Sequence, residues 1–287
     1  INIGKLPIIL KSSICVLTQN NHISHQYTGE CSMDCGGYFI IKGSEKTVLG
    51  QERAAENRIY CFDGKNTTKW NWMAEIKSVP DFKCISPKQI EMMIASKNNG
   101  FGNGLYISIP RIKQPIELFV VFRALGVISD KDICSHILLD INDNTQQDVL
   151  KCLQASIIDS NKYMTQEDAI SHITSYVAFT PLNMDKETGI RKKREFTHDV
   201  LDSDLFPHCQ TVQQKIYLIG YMAKKLILTS LGVLQQDDRD SYLNKRIELT
   251  GTLLNNLFRN YFNKLVKEMQ KQIVREINSG SWRSMED

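Results

Sequence analysis

A chain of 287 residues with 42% hydrophobic and 23% charged residues has the composition of an ordinary globular protein, with length for one large domain or two. Its 35 basic and 32 acidic residues leave a formal charge of only +3, which excludes a strongly basic, free-standing nucleic-acid binder and places any such contact on local patches. The eight cysteines sit among apolar neighbours rather than at disulfide-framework spacing, which points to a reducing compartment.

The opening INIGKLPIILKSSICVL has neither the charged start nor the cleavage site of a signal peptide, and residues 6–17 predict a strand. With no initiator Met and an unpatterned GSWRSMED end, the sequence reads as a piece of a longer polypeptide. A polar loop over 18–34 follows. It holds the one close cysteine pair, Cys31 and Cys35, with His22 and His25 nearby, but H-x-x-H followed by C-x-x-x-C is not a standard zinc pattern. Gly36 and Gly37 introduce a predicted hairpin: an apolar run over 38–41, a turn at Lys42, Gly43 and Ser44, and a second run at Thr47, Val48 and Leu49. Residues 51–58 are rich in helix formers and predict a helix of about two turns.

The turn-rich DGKNTTK at 63–69 marks the first boundary. Ser86, Pro87 and Gln89 imitate a helix start, yet LYISI from Leu105 alternates and NNGFGNG is turn-forming, so 90–109 predicts a hairpin. Gly100, Gly102 and Gly104 lack the spacing of a dinucleotide fold, and the phosphate-binding G-x-x-x-x-G-K-[ST] is missing. From Pro115 the period turns helical, through Ile116, Phe119, Val120, Arg123 and Ala124 to a stop at Gly126. Ser129 with Asp132, Thr165 with Asp168 and Thr211 with Gln214 are capping-box arrangements ahead of helices over 133–139 and 169–176 and of an apolar stripe from Leu218 to Ile227. That stripe lies in the longest apolar stretch, IYLIGYMAKKLILTSLGVL, which Lys224 and Lys225 interrupt short of a membrane helix. Residues 183–194 read as a polar loop carrying Lys186 and the run Arg191, Lys192, Lys193 and Arg194. The strongest helical pattern covers 249–277, with Leu254, Leu257, Phe258, Tyr261, Leu265 and Ile273 on one broad face. That face needs a partner layer, either the N-terminal sheet or a further part of the parent polypeptide.

Asp237, Asp238 and Asp240 are a candidate hard-cation site. Arg239, Lys245 and Arg246 beside them favour an ion-pair network at the entry of the long helix, and Asp237 and Asp238 precede a helical stretch where negative charge is favoured. Contact with a neighbouring part of a larger machine is the third reading. Ser44, His208 and scattered carboxylates have no G-x-S-x-G to gather them, and His136 and His172 lie in helical stretches as surface or half-buried polar residues, so no catalytic residue is assigned. The 191–194 cations reach phosphates without burying charge; a solvated loop or a nuclear-import-like patch is the alternative. Arg53 and Arg58 are weaker contact candidates, with internal pairing to Glu52 and Glu56 as the alternative.

GGYFIIKGSEKTVLGQERAAENR, residues 36–58, resembles the hallmark stretch of the second-largest subunit of multisubunit DNA-directed RNA polymerases. KLPIILKSSICVL, FRALGV (122–127), LFPH (205–208), GYMAKKLIL (220–228) and QDDRDSYLNKRIELTGTLL (236–254) match in family order across nearly the whole chain. The resemblance implies an α+β architecture of protrusion segments with an inserted mixed α/β lobe: protrusion 1–63, lobe 64–247, returning helix 248–278 and tail 279–287. It implies a noncatalytic, cleft-forming role in guiding template or downstream DNA, or alternatively a scaffold that docks initiation factors with little DNA contact. Lys42, Lys46, Gln51 and Arg53 become protrusion contact candidates; Asp237, Asp238, Arg239, Asp240, Lys245 and Arg246 become cleft or domain-packing candidates. Catalytic magnesium is implied to sit on the largest subunit, leaving this chain without metal or cofactor. Implied partners are that subunit, other polymerase subunits, DNA and general transcription factors, with no membrane. The implied setting is intracellular and reducing: nucleus, cytoplasm, or a virion or viral factory.

Overall fold

The computed structural model describes residues 4–64, 69–80, 85–179 and 185–280. Two short helices, α1 (Val16–Gln19) and α2 (His25–Thr28), precede β1 (Phe39–Ile41), β2 (Ser44–Lys46) and β3 (Gln51–Ala54). The chain continues through β4 (Tyr60–Asp63), β5 (Trp70–Ser78), β6 (Lys88–Asn98), β7 (Asn103–Ser108) and β8 (Ile116–Glu117). Six helices follow: α3 (Leu118–Ala124), α4 (Asp130–Leu138), α5 (Gln147–Ser160), α6 (Gln166–Tyr176), α7 (Lys186–Ser203) and α8 (Val212–Ser230). Strand β9 (Lys245–Glu248) and helix α9 (Thr250–Asn278) complete the described elements. The fold class is α+β, and it divides into two compact units, 54–244 and 1–53 with 245–287.

In the larger unit, β4 to β8 form an antiparallel five-stranded meander in sequential order. Alternation along each strand sends one residue in two to the covered face. The register therefore aligns Cys61, Ala74, Met92, Ile107 and Ile116 in one row across all five strands, every one fully buried. Each large apolar side chain in such a row contributes about 1.5–3 kcal/mol by leaving water. Helices α3, α5 and α8 pack against this sheet. Helix α3 is buried on every side, Arg123 included, as its unbroken LFVVF demands. The hairpin expected over 90–109 is present as β6 and β7. Asn98 Oδ1 accepts from the backbone N–H of Gly100 at 2.7 Å and of Gly102 at 3.0 Å, and those glycines hold φ of 100° and 135°, so the Gly-rich segment is a turn.

Thr211 and Gln214 form the expected capping box at the start of α8, and Thr165 caps α6. Ser129 precedes α4 but makes no side-chain cap. Helices α4 and α8 touch at Gly220, where an added Cβ would stand 3.0 Å from the His136 carbonyl carbon and closer still to its oxygen. Gly220→Ala is expected to lower stability by about 1–3 kcal/mol in chemical denaturation, because overpacking against backbone outweighs the helix-propensity gain of about 1 kcal/mol. Gly251→Ala, where nothing lies within 4 Å, is the matched control and is expected to be neutral or stabilising.

The smaller unit corrects several expectations. Residues 6–17 are not a strand. Leu10 exchanges two backbone hydrogen bonds with Gly37 and Tyr38, but Lys11 then adopts φ 59° and the chain turns into α1. Gly36, at φ 69°, lies so close to Leu10 that a Cβ would fall 2.6 Å from its carbonyl oxygen. The β1–β2 hairpin turns at Lys42 and Gly43, both at positive φ, and its second strand is 44–46 rather than the expected 47–49. Residues 51–54 are a strand rather than a helix, because β9 from the far end of the chain pairs with them and overrides local propensity. Helix α9 forms over 29 residues as expected, but no α9 residue is buried, so the N-terminal sheet, one of the two partner layers considered, does not bury its apolar face. Of the boundary stretch 63–69, residues 65–68 lie outside the described residues, as do 183–184 of the expected polar loop and 281–287 of the tail.

Candidate nucleic-acid interface

In the smaller unit, Lys42 occupies the hairpin turn and Lys46 ends β2, both exposed. Gln51, also exposed, approaches the Leu49 carbonyl at 3.5 Å. Arg53 is engaged: its Nε lies 3.0 Å from Glu248 Oε1, and Lys245 Nζ reaches Glu52 Oε1 at 3.4 Å. These two ion pairs join β3 to β9, which places Arg53 and Lys245 in strand pairing. Arg53 thus has an ion-pair partner in Glu248, beyond the neighbouring Glu52 and Glu56 considered from sequence. Arg246 is exposed and donates to the Lys245 carbonyl at 2.7 Å.

In the larger unit, the acidic group is committed to internal structure. Asp237 Oδ2 accepts from Lys225 Nζ at 2.7 Å and from the Cys61 backbone N–H at 2.9 Å, while the Asp237 N–H returns to the Cys61 carbonyl at 3.0 Å. This ties the segment to β4. Asp238 Oδ1 closes a local turn by accepting from the Asp240 N–H at 2.8 Å. Arg239 pairs with Glu75 at 2.9 Å and covers the Phe62 ring at 3.9 Å. These ion pairs differ from those expected from the adjacent charges: Asp237 pairs with Lys225, Arg239 with Glu75 and Lys245 with Glu52, all across longer sequence separations. The helical stretch expected after Asp238 is only one 3₁₀ turn, Tyr242–Asn244, leading into β9. Among the described residues there is no group of three or more His, Cys, Asp or Glu able to hold a metal ion.

The run 191–194 corrects the sequence reading most clearly: it lies on α7, not in a loop. The buried residues Gly189, Thr197, Val200 and Leu201 supply a helical face that the flanking charges obscured. Arg191 is 72% exposed with Glu195 at 3.9 Å, and Arg194 is 47% exposed with Glu167 at 3.3 Å. Lys193 donates to the Ser175 carbonyl at 3.3 Å, and Lys192 faces solvent. Exposed pairs of this kind are worth about 0–1 kcal/mol, so a phosphate can displace them.

A cleft of about 880 Å³ in the larger unit went unnoticed in the sequence. Lys69, Lys97 and Lys113 line it beside Trp70, Tyr106 and Tyr176. Register shifts on both sides of β6, between Trp70 and Trp72 and between Ile94 and Asn98, re-aim these side chains. On the inner wall Asp159 accepts from Asn99 Nδ2 at 2.8 Å and from the Tyr106 hydroxyl at 3.1 Å, and Glu117 Oε2 meets His172 Nε2 at 3.2 Å. Burial first, and Asp159 second, push the Tyr106 phenol up to about 12, which keeps it a donor. The only local signal was the Lys69–Trp70 dipeptide; the other lysines come from distant positions.

These features define an α+β protein with a helix-covered antiparallel meander, to which Asp237 is tied by an ion pair with Lys225. The model of the family "RNA polymerase Rpb2, domain 2" matches residues 55–248, more than half of the chain, and the chain belongs to this family of second-largest RNA polymerase subunits. It is 34% identical over 289 residues to DNA-directed RNA polymerase II subunit 2 of Arabidopsis thaliana, covering 97% of this chain and 23% of that protein. It is 35% identical over 281 residues to subunit RPB2 of Encephalitozoon cuniculi, covering 96% and 23%. It is 34% identical over 276 residues to subunit RPB2 of Schizosaccharomyces pombe, covering 94% and 22%. The chain thus spans under a quarter of the length of these relatives.

Proposed function

We propose that this chain is a noncatalytic, cleft-forming part of a DNA-directed RNA polymerase that guides template or downstream DNA and contacts the largest subunit, other subunits and transcription factors. The observation that carries the reading is the family match over 55–248. In this reading the larger unit is the lobe and the smaller unit holds the protrusion segments. The exposed cations of α7, with Lys42 and Lys46 on the hairpin, supply phosphate contacts that position DNA without reading its sequence. In this reading magnesium belongs to another subunit, and Asp237 serves instead to engage Lys225 and the Cys61 N–H. The seven described cysteines are free, and no helix among the described residues is long and apolar enough to cross a membrane. A reducing compartment, nuclear, cytoplasmic or viral, fits this cysteine chemistry.

Replacing Arg191, Lys192, Lys193 and Arg194 together by Ala is expected to weaken duplex DNA binding about tenfold at low salt and to reduce the salt slope by about 2–3. Anisotropy titrations across a salt series measure both, and equal affinities with equal slopes would remove α7 from the contact surface. A second reading, a scaffold that docks factors with little DNA contact, is favoured by the exposed apolar side chains of α9, among them Leu257, Tyr261, Leu265 and Met269. Cross-linking within the assembled polymerase separates the two: adducts to DNA support guidance, and adducts confined to protein support docking.

A further inference from the structure

The cleft at the β6 end of the meander has a composition that neither family membership nor DNA guidance accounts for. Its three lysines are exposed and make no ion pair among the described residues, whereas its two carboxylates are already engaged on the inner wall. Lys69 Nζ stands 5.0 Å above the Trp70 ring, and that ring packs 5.6 Å from Tyr106. The rim therefore offers separated positive points above an aromatic floor.

The cleft is preformed. Both the N–H and the hydroxyl of Ser96 donate to the Lys69 carbonyl at 3.0 Å, which fastens Lys69 to β6. The Lys113 N–H donates to the Tyr176 carbonyl at 2.9 Å, and Ile112 bridges Val177, which ties the opposite lip to the end of α6. A rigid rim lowers the ordering cost of binding, and 880 Å³ is a volume that takes a short peptide segment.

We infer that this cleft is a docking site for an acidic peptide segment bearing an aromatic side chain, presented by a protein partner of the polymerase. Charge complementarity selects the acidic character, since three exposed cations line the rim. The Trp70 and Tyr106 rings select the aromatic residue. Asp159 and Glu117 favour peptide over nucleic acid, because a strand with a phosphate on every nucleotide would be driven against two carboxylates, whereas a peptide offers them N–H donors. This inference deepens the partner-contacting half of the proposed function and is independent of the DNA-guiding half.

The test uses the full 287-residue chain and fluorescence anisotropy. The probe is a labelled peptide of about a dozen residues, rich in Asp and Glu with two Phe, compared with the same peptide carrying Asn and Gln in place of the acids. Saturable binding of the acidic peptide alone is expected, weakened at least about tenfold by the exposed-site double variant Lys97→Glu with Lys113→Glu. The α7 quadruple-alanine variant is expected to bind the peptide with unchanged affinity, so the DNA-guiding role can fail while this one stands. Circular dichroism checks that the lysine variants stay folded. Equal binding of both peptides, equal affinity of the double variant, or displacement of the peptide by an oligothymidylate would each overturn the inference, the last by assigning the cleft to single-stranded nucleic acid.

Discussion

Arg123→Met is expected to lower the unfolding free energy by about 3–5 kcal/mol, the range for breaking a buried, hydrogen-bonded charge arrangement. Arg123 is 0% exposed in the last turn of α3, although arginine is almost never fully buried unless paired. Its Nη1 donates to the Ser160 carbonyl at 2.7 Å and to the Tyr163 carbonyl at 2.8 Å, and its Nη2 meets Asp130 Oδ1 at 2.5 Å. One guanidinium therefore satisfies the C-terminal end of α5 and pins the first turn of α4. Met fills much of the volume but leaves the carbonyls without a donor, and each buried orphan costs about 1–3 kcal/mol. Asp130 is partly exposed and loses less, because water replaces its partner. Arg123→Lys, with a compact ammonium in place of the planar fork, is expected to fall between the two. Guanidinium denaturation followed by circular dichroism measures the series. A Met variant as stable as the parent would mean that α3, α4 and α5 are held by apolar packing alone.

Asp204→Asn is expected to cost about 2–3 kcal/mol, somewhat less than a fully buried pair because its cationic partners retain water. Asp204 ends α7 with a side chain 2% exposed, and its Oδ1 lies 2.9 Å from Lys88 Nζ on β6. Its Oδ2 faces Arg111 Nε, an ion pair by proximity rather than an aligned hydrogen bond. Arg111 itself sits at φ 67°, a conformation costing a non-glycine residue about 1–3 kcal/mol. That cost is offset by the Asp204 pair, by the Ala178 N–H bonded to the Arg111 carbonyl, and by the Phe196 ring 5.3 Å from the guanidinium. Neutralising Asp204 leaves two cations facing each other. A double-mutant cycle of Asp204→Asn with Lys88→Met isolates the pair, with a coupling of about 1–2 kcal/mol expected. Additive effects would show that Lys88 merely lies nearby.

Arg123 falls within FRALGV, one of the segments that carried the family resemblance, and Asp204 immediately precedes another, LFPH. Neither the buried role of Arg123 nor the double pairing of Asp204 could be read from their neighbours.

Features set by interactions within a few residues were legible in the sequence. Thr211 with Gln214, the Lys42-Gly43 turn, the Asn98-to-Gly102 turn and the length of α9 all rest on capping, positive-φ tolerance or helical periodicity. What depended on distant partners was not. Residues 51–54 are a strand because β9 pairs with them, although their side chains favour helix. The cations at 191–194 lie on a helix because a sparse set of small and apolar residues is buried beneath them. The cleft unites Lys69, Lys97 and Lys113 through β-sheet registers that a linear pattern does not contain. By itself the sequence thus determined the family, with the α+β class it implies, and those local turns and caps that rest on neighbouring residues. Tertiary structure alone decided which charges are spent on ion pairs and which face water, because that choice depends on burial and on partners far away in the chain.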